Sequence, residues 1–175
     1  MNVLSRVGRV WLLPLLAVMA SFSAQAHLMV AQHGTLNITG DGVFMVLSLP
    51  VSAFSDVDDD DDGLLSAHEI QTHHSAILNQ VGAALVLLVD GQAHALQSPL
   101  ITPTFGHGNP SNKASQIVVT GRFNLHHPRQ SLTFKAALFG AHEDEKSLNI
   151  SVKRPAQSLR SQATLTPQHN RLELM

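Results

Sequence analysis

The stretch IVVTGRFNL, residues 117–125, decides the fold class of this 175-residue chain. Its apolar residues Ile117, Val119, Phe123 and Leu125 lie an even number of positions apart, and three polar residues occupy the other set of alternating positions. Successive side chains of a β-strand point to opposite faces of the sheet. The period of two therefore predicts a strand with one face on a core and one face in water.

The same period recurs on both sides of this stretch. Further predicted strands cover residues 36–39, 43–49, 85–89, 92–96, 132–138, 148–153 and 159–165. Turn signals separate neighbouring strands at residues 40–42, 90–91 and 128–130. Residues 97–115 contain three prolines and two glycines, and we predict a long loop there. These features together predict a mainly β fold, an antiparallel, Ig-like β-sandwich.

One helical segment interrupts the predicted strands. The residues that recur with helical spacing on one face are Ile70, His74, Ile77, Leu78 and Val81. Glycine is common just after the last turn of a helix. We therefore predict a single α-helix over about residues 66–81, which ends at Gly82.

Residues 58–69, which read DDDDDGLLSAHE, lead into this helix. A loop that binds Ca²⁺ needs carboxylates at alternating positions, a sharp turn and a bidentate closing carboxylate. Gly63 supplies the turn, and Leu65 is predicted to point into the core. The predicted ligands are the side chains of Asp58, Asp60 and Asp62, the backbone carbonyl of Leu64, Ser66 directly or through a water, and Glu69. The alternative is a solvated acidic loop that folds without metal.

This loop resembles the EF-hand family over its twelve residues and the helix that follows. Only one such loop is present, and the entering segment at residues 51–57 leaves room for about one helical turn. Opening of a groove between paired helices, as in calmodulin-like sensors, is therefore not expected. We predict instead an EF-hand-type calcium loop inserted in a β-sandwich, with an affinity of roughly 10⁻⁴ to 10⁻³ M.

The N-terminus indicates export. Two arginines precede an apolar run at residues 10–20, and an Ala-Gln-Ala sequence ends at Ala26, so residues 1–26 are predicted to be a cleaved secretory signal. The apolar run is shorter than the ~20 residues that a membrane-spanning helix needs. The mature chain, residues 27–175, is predicted to be a single periplasmic or secreted domain without stable membrane insertion. It contains no cysteine, so packing or a metal must provide the stability that disulfides give other exported domains.

Charge and motifs argue against several functional classes. Beyond residue 26, all nine Lys and Arg residues lie at Lys113 or later, whereas nine of the thirteen acidic residues lie before it. This asymmetry predicts complementary surfaces that meet within the fold or between copies, unless it merely reflects the acidic loop. The basic half lacks a Lys/Arg stripe with interleaved aromatic residues, so we predict no nucleic-acid binding. A zincin motif, a nucleophile elbow and a phosphate loop are all missing, and we predict no enzymatic activity.

The chain contains eleven histidines. After cleavage His27 would present its α-amine and its imidazole, two nitrogen donors that suit Cu²⁺. A further donor would come from His33, His107, His126 or His127. The alternative is that all of these are ordinary surface or core histidines. Separately, His73 lies four residues after Glu69 and is predicted to contact that carboxylate.

The mature chain also resembles the extracytoplasmic domain that precedes the membrane helices in some HupE/UreJ-type proteins. The shared features are Ala26-His27, the acidic loop with its helix, residues 85–91 ending in Asp-Gly, and residues 132–139 ending in Leu-Phe. That family is associated with nickel handling, so the resemblance implies transition-metal biology. Membrane helices are not predicted in this sequence, and transport is therefore not carried over.

The sequence as a whole predicts an exported, non-enzymatic calcium-binding protein and identifies the calcium ion as its partner. The alternative is a periplasmic copper- or nickel-binding protein or metal chaperone that uses His27, with calcium in a structural role.

Overall fold

A computed structural model describes residues 31–105, 112–125 and 131–174 of the chain. Within these ranges the strands are β1 (His33–Ile38), β2 (Gly42–Pro50), β3 (Leu85–Val89), β4 (Gln92–Ala95), β5 (Gln97–Phe105), β6 (Ala114–Asn124), β7 (Leu132–Ala136), β8 (Leu148–Arg154), β9 (Leu159–Leu165) and β10 (Arg171–Leu174). Two helices, α1 (Ala67–Thr72) and α2 (His74–Ala84), lie between β2 and β3, and single 3₁₀ turns cover Val51–Ala53, Glu143–Glu145 and Pro155–Gln157. The predicted signal at residues 1–26 and the turn at residues 128–130 lie outside the described residues.

The strands form two sheets. The six-stranded sheet has the order β5-β6-β2-β1-β8-β9, and the four-stranded sheet has the order β10-β7-β3-β4. The prediction of a mainly β fold with antiparallel sheets is confirmed for every strand pair of the described ranges except β1 with β8, which is parallel. Strands joined by a short hairpin must be antiparallel. A long stretch of chain separates β1 from β8, so these two strands can pair in parallel.

Both sheets contribute to one hydrophobic core. The four alternating apolar residues of the 117–125 stretch, Ile117, Val119, Phe123 and Leu125, are all buried, as predicted. Phe123 of β6 and Phe134 of β7 meet edge to face with ring centroids 6.3 Å apart, so side chains of the two sheets are in direct contact. Two antiparallel-rich sheets that share a core in this way are compatible with a β-sandwich.

The predicted loop over residues 97–115 is wrong, because Gln97–Phe105 forms strand β5 and β6 begins at Ala114. Proline cannot donate to a ladder of hydrogen bonds, and inside sheets it is confined to edge strands and bulges. In the part of the chain that the structure describes, strand β5 is the edge of the six-stranded sheet and pairs only with β6, with register shifts near both of its ends. Pro99 and Pro103 therefore lie in an edge strand, where the missing N–H donor of proline is tolerated. Strand β10 was not predicted, since four residues are too few to display an alternating pattern.

The predicted single helix is also wrong, because α1 and α2 are separate helices that meet at His73. His73 leaves the helical conformation, with φ −97° and ψ 9°, and its N–H still donates to the Glu69 carbonyl at 2.8 Å. Gly82 lies inside α2, which continues to Ala84, so Gly82 does not end the helix. His74 is exposed rather than part of the apolar face. Among the described residues, no helix is both long enough and apolar enough to cross a membrane.

Candidate metal centre

The acidic loop lies between the 3₁₀ turn at Val51–Ala53 and helix α1, and both of its flanks are fixed to the fold. On the entering side, the Gln80 side chain of α2 accepts from the Ser55 N–H and donates to the Ser55 carbonyl, each at 2.9 Å. Val57 is completely buried just before the first aspartate. The short entering segment that the sequence predicts is confirmed, and a side-chain amide on α2 holds it in place.

A two-residue bridge attaches the middle of the loop to the six-stranded sheet. The Leu65 N–H donates to the Ala114 carbonyl at 2.8 Å, and the Ala114 N–H donates back to the Leu65 carbonyl at 2.7 Å. The Leu65 side chain is fully buried, as predicted. The loop is therefore held against the first residue of β6, more than forty positions away along the chain.

Gly63 makes the predicted sharp turn. Its φ of +78° lies in the left-handed region, where side chains larger than glycine are strained. The Gly63 N–H donates to Asp58 Oδ2 at 2.7 Å, and the Leu64 N–H donates to Asp62 Oδ1 at 2.9 Å. An added Cβ at Gly63 would meet nothing within 4 Å, so backbone conformation rather than lack of space requires glycine.

Glu69 joins the loop to the start of helix α1. Its Oε2 accepts from the Ser66 N–H at 2.7 Å, and the Ser66 hydroxyl accepts from the Glu69 N–H at 3.2 Å, which completes a capping box. Glu69 Oε1 accepts from the Asp59 N–H at 2.8 Å. Hydrogen bonds from Ser66, followed by the one from Asp59, lower the pKa of the Glu69 carboxyl to about 2. Glu69 is therefore a buried carboxylate that stays ionised at neutral pH.

Three of the predicted ligands converge. Asp58, Asp60 and Glu69 each offer a carboxylate oxygen, and these oxygens lie within 4.8 Å of one another. Asp58 Oδ1 is buried and accepts no hydrogen bond. Burying a carboxylate oxygen without a partner is unfavourable, and a bound cation would remove that cost. Among the described residues, this is the single group of at least three His, Asp or Glu side chains positioned to hold a metal ion.

Asp62 lies outside that group, and both of its carboxylate oxygens accept hydrogen bonds. Its Oδ1 accepts from the Leu64 N–H, and its Oδ2 accepts from Lys113 Nζ at 2.6 Å. Lys113 Nζ also donates to Asp60 Oδ2 at 2.6 Å. Hydrogen bonding and charge raise the pKa of Lys113 above its ordinary value, and the hydrogen bond from Lys113 lowers the pKa of the Asp60 carboxyl. The predicted roles of Asp62, the Leu64 carbonyl and Ser66 as metal ligands remain predictions.

Sequence reasoning missed Lys113. Lys113 lies beside the loop because its neighbour Ala114 pairs with Leu65, and no local sequence motif predicts that pairing. The one available signal was the charge distribution, in which Lys113 is the first basic residue after a long acidic half.

The predicted contact between His73 and Glu69 is also wrong. His73 Nε2 lies 2.8 Å from Asp59 Oδ1 instead. Helix α1 ends at Thr72 and His73 leaves the helical conformation, so the four-residue spacing no longer directs the His73 ring toward Glu69. This contact gives Asp59, at the second loop position, a partner outside the predicted ligand set.

The described histidines form no metal cluster with other ligand-type residues. His33 Nδ1 lies 2.9 Å from the Ala31 carbonyl oxygen, a local contact. His27, His107, His126 and His127 lie outside the described residues. The chain matches no protein-family model and no curated protein.

Proposed function

We propose that this chain is an exported, non-enzymatic calcium-binding protein, an Ig-like β-sandwich that carries an inserted EF-hand-type loop at residues 58–69. The observation that carries the proposal is the convergence of Asp58, Asp60 and Glu69, the first, third and twelfth loop positions, together with the buried Asp58 Oδ1, which has no hydrogen-bond partner. Export rests on the signal-like residues 1–26, and the periplasm or the extracellular medium is the proposed location.

The donor set favours calcium over other metals. The converging atoms are carboxylate oxygens, which hard cations prefer, whereas copper, nickel and zinc favour nitrogen or sulfur donors. Ca²⁺ accepts six to eight oxygens in irregular arrangements, whereas Mg²⁺ demands near-ideal octahedral geometry at shorter distances. A loop whose ligands all come from one short backbone segment does not supply a regular octahedron, so it suits the larger ion better.

We infer a structural role for the bound ion. The loop and its entering segment contact α2 through Ser55, β6 through Leu65 and α1 through Glu69, so a cation at the centre of the loop would link three elements of the fold. A ligand that binds only the native state stabilises it by about 2.7 kcal/mol at a concentration 100 times its Kd. Calcium would thereby provide stability to an exported chain that has no disulfide.

Calorimetric titration of the metal-stripped protein, residues 27–175, tests this proposal. We expect one Ca²⁺ per chain in the wild type and no measurable binding in Asp58→Ala. Glu173→Ala is the matched control, because Glu173 is an exposed acid of β10 in the four-stranded sheet, whereas the loop is bridged to the six-stranded sheet. Binding that is absent in the wild type, or equal in the wild type and Asp58→Ala, would refute the proposal.

The alternative function is transition-metal binding in the periplasm through His27, with calcium structural. It is favoured by the eleven histidines and by the predicted cleavage that leaves His27 at the mature N-terminus. The two functions involve different residues, so the calcium titration and a copper titration of the same protein report on them separately.

A further inference from the structure

The Lys113 side chain places a positive charge against the carboxylates of the acidic loop. Its Nζ donates to Asp60 Oδ2 and to Asp62 Oδ2, each at 2.6 Å. Its side chain is only 17% exposed, whereas the two aspartate side chains are 58% and 39% exposed. A lysine on an open surface keeps most of its stem and its ammonium in water. Lys113 instead packs its stem against the fold and places its charge between two loop carboxylates.

The backbone fixes this placement. Lys113 directly precedes Ala114, which exchanges two hydrogen bonds with Leu65 at the centre of the loop. Ala114 also pairs with Phe105 of β5, so the same residue is part of the sheet ladder. Any rearrangement of the loop carboxylates therefore takes place next to a lysine whose main chain is anchored at the following residue.

The carboxylates that Lys113 binds are the ones that calcium needs at the third and fifth loop positions. Both oxygens of Asp62 are engaged, Oδ1 by the Leu64 N–H and Oδ2 by Lys113. If Asp62 coordinates calcium at a distance of about 2.3–2.6 Å, the ion comes to lie close to both of these donors. The ammonium is the donor that a divalent cation would repel, so Lys113 is the one that leaves.

We propose that Lys113 is a tethered competitor for calcium, which occupies Asp60 and Asp62 in the metal-free protein and is displaced from them when Ca²⁺ binds. This inference rests on the proposed calcium-binding function and deepens it, because it names the residue that sets the affinity of the loop. The ion pair stabilises the metal-free loop, and the same ion pair lowers its apparent affinity for calcium.

Removing the charge of Lys113 should therefore strengthen calcium binding and destabilise the metal-free protein. In Lys113→Met we expect the calcium affinity to rise roughly 15-fold at low salt, the size of the repulsion between a unit and a double charge about 5 Å apart in water. In chelator, the same variant should melt at a lower temperature than the wild type, because Asp60 and Asp62 lose their counter-ion. Lys113→Gln, a smaller neutral side chain, should behave in the same way.

Two controls accompany these variants. Lys113→Arg keeps the charge and should keep an affinity close to that of the wild type. Lys146→Met removes one positive charge from a pair with Glu143 elsewhere on the chain and should leave calcium binding unchanged. Far-UV circular dichroism of each variant verifies that the fold is retained.

Displacement can also be observed directly. Mass spectrometry after brief acetylation should show slow modification of Lys113 in chelator and faster modification in saturating calcium, with Lys146 as an internal reference. Calorimetry in which Lys113→Met and Lys113→Gln bind calcium no more tightly than the wild type would overturn this inference and leave the proposed function standing. Acetylation of Lys113 at the same rate in chelator and in saturating calcium would also overturn this inference and leave the proposed function standing. If neither the wild type nor the neutral variants bind calcium, the proposed function itself fails.

Discussion

Replacing Glu69 with glutamine separates the two roles that this carboxylate is proposed to combine. Glu69 closes the capping box with Ser66, and it is the predicted bidentate ligand at the twelfth loop position. Glutamine has the same shape but only one acceptor oxygen. Glu69→Gln should therefore weaken the metal-free fold moderately and remove the response to calcium altogether.

The expected loss of stability of the metal-free Glu69→Gln variant follows from two hydrogen bonds. Glu69 Oε1 accepts from the Asp59 N–H at 2.8 Å, and Oε2 accepts from the Ser66 N–H at 2.7 Å. Glutamine can satisfy one of them and turns an NH₂ group toward the other donor. Hydrogen bonds to a charged group contribute about 1.5–3 kcal/mol, so we expect a loss of about 2 kcal/mol in the free energy of unfolding. For a chain of about 150 residues this corresponds to a melting temperature lower by roughly 4–8 °C.

Thermal unfolding with chelator and with saturating calcium measures both effects. Ser66→Ala is the matched control, because it removes the N-cap hydroxyl, worth about 1 kcal/mol, but keeps all four predicted carboxylate ligands. We expect Ser66→Ala to lower the melting temperature and to retain most of the calcium-induced rise. A full calcium-induced rise in Glu69→Gln would refute the role of Glu69 as a ligand. An undiminished melting temperature in chelator would refute its role in the cap.

Three further outcomes are expected. Replacing Asp59 and Asp61 together with asparagine should weaken calcium binding only modestly and reduce its salt dependence, since their charges act through screened attraction; abolished binding, measured by calorimetry, would contradict the ligand register. Because the folded-state pKa of Glu69 is about 2, below its ordinary 4.5, metal-free stability should be fully present above pH 4.5 and decline as the pH falls toward 2, with the decline reduced in Glu69→Gln when followed by urea denaturation. If His27 binds Cu²⁺ with its α-amine, one extra N-terminal residue should abolish tight copper binding and leave calcium binding intact; equal copper affinity with and without the extension would exclude such a site.

The parts of the site that the sequence predicts are those built from neighbouring residues. Gly63, Ser66 and Glu69 form the turn and the cap within one short segment, so their spacing alone defines the local geometry. The strand at residues 117–125 is predictable for the same reason, because a period of two fixes which side chains are buried.

The features that the sequence does not predict depend on contacts between residues that are distant in sequence. Strand β5 contains prolines that suggest a loop, and only its position at the edge of a sheet makes them acceptable. Parallel pairing of β1 with β8 and the contact of Lys113 with the loop arise from tertiary packing, which no local pattern encodes. The break between α1 and α2 at His73 coincides with a side-chain contact to Asp59, fourteen residues earlier.

A crystal structure of the mature protein grown in saturating calcium is the most direct test of calcium binding by residues 58–69. The proposed site predicts one ion with six to eight oxygen ligands at about 2.3–2.6 Å, among them oxygens of Asp58, Asp60 and Glu69, with Lys113 withdrawn from Asp60. A loop that contains no ion under these conditions, with Lys113 still bonded to Asp60 and Asp62, would contradict it.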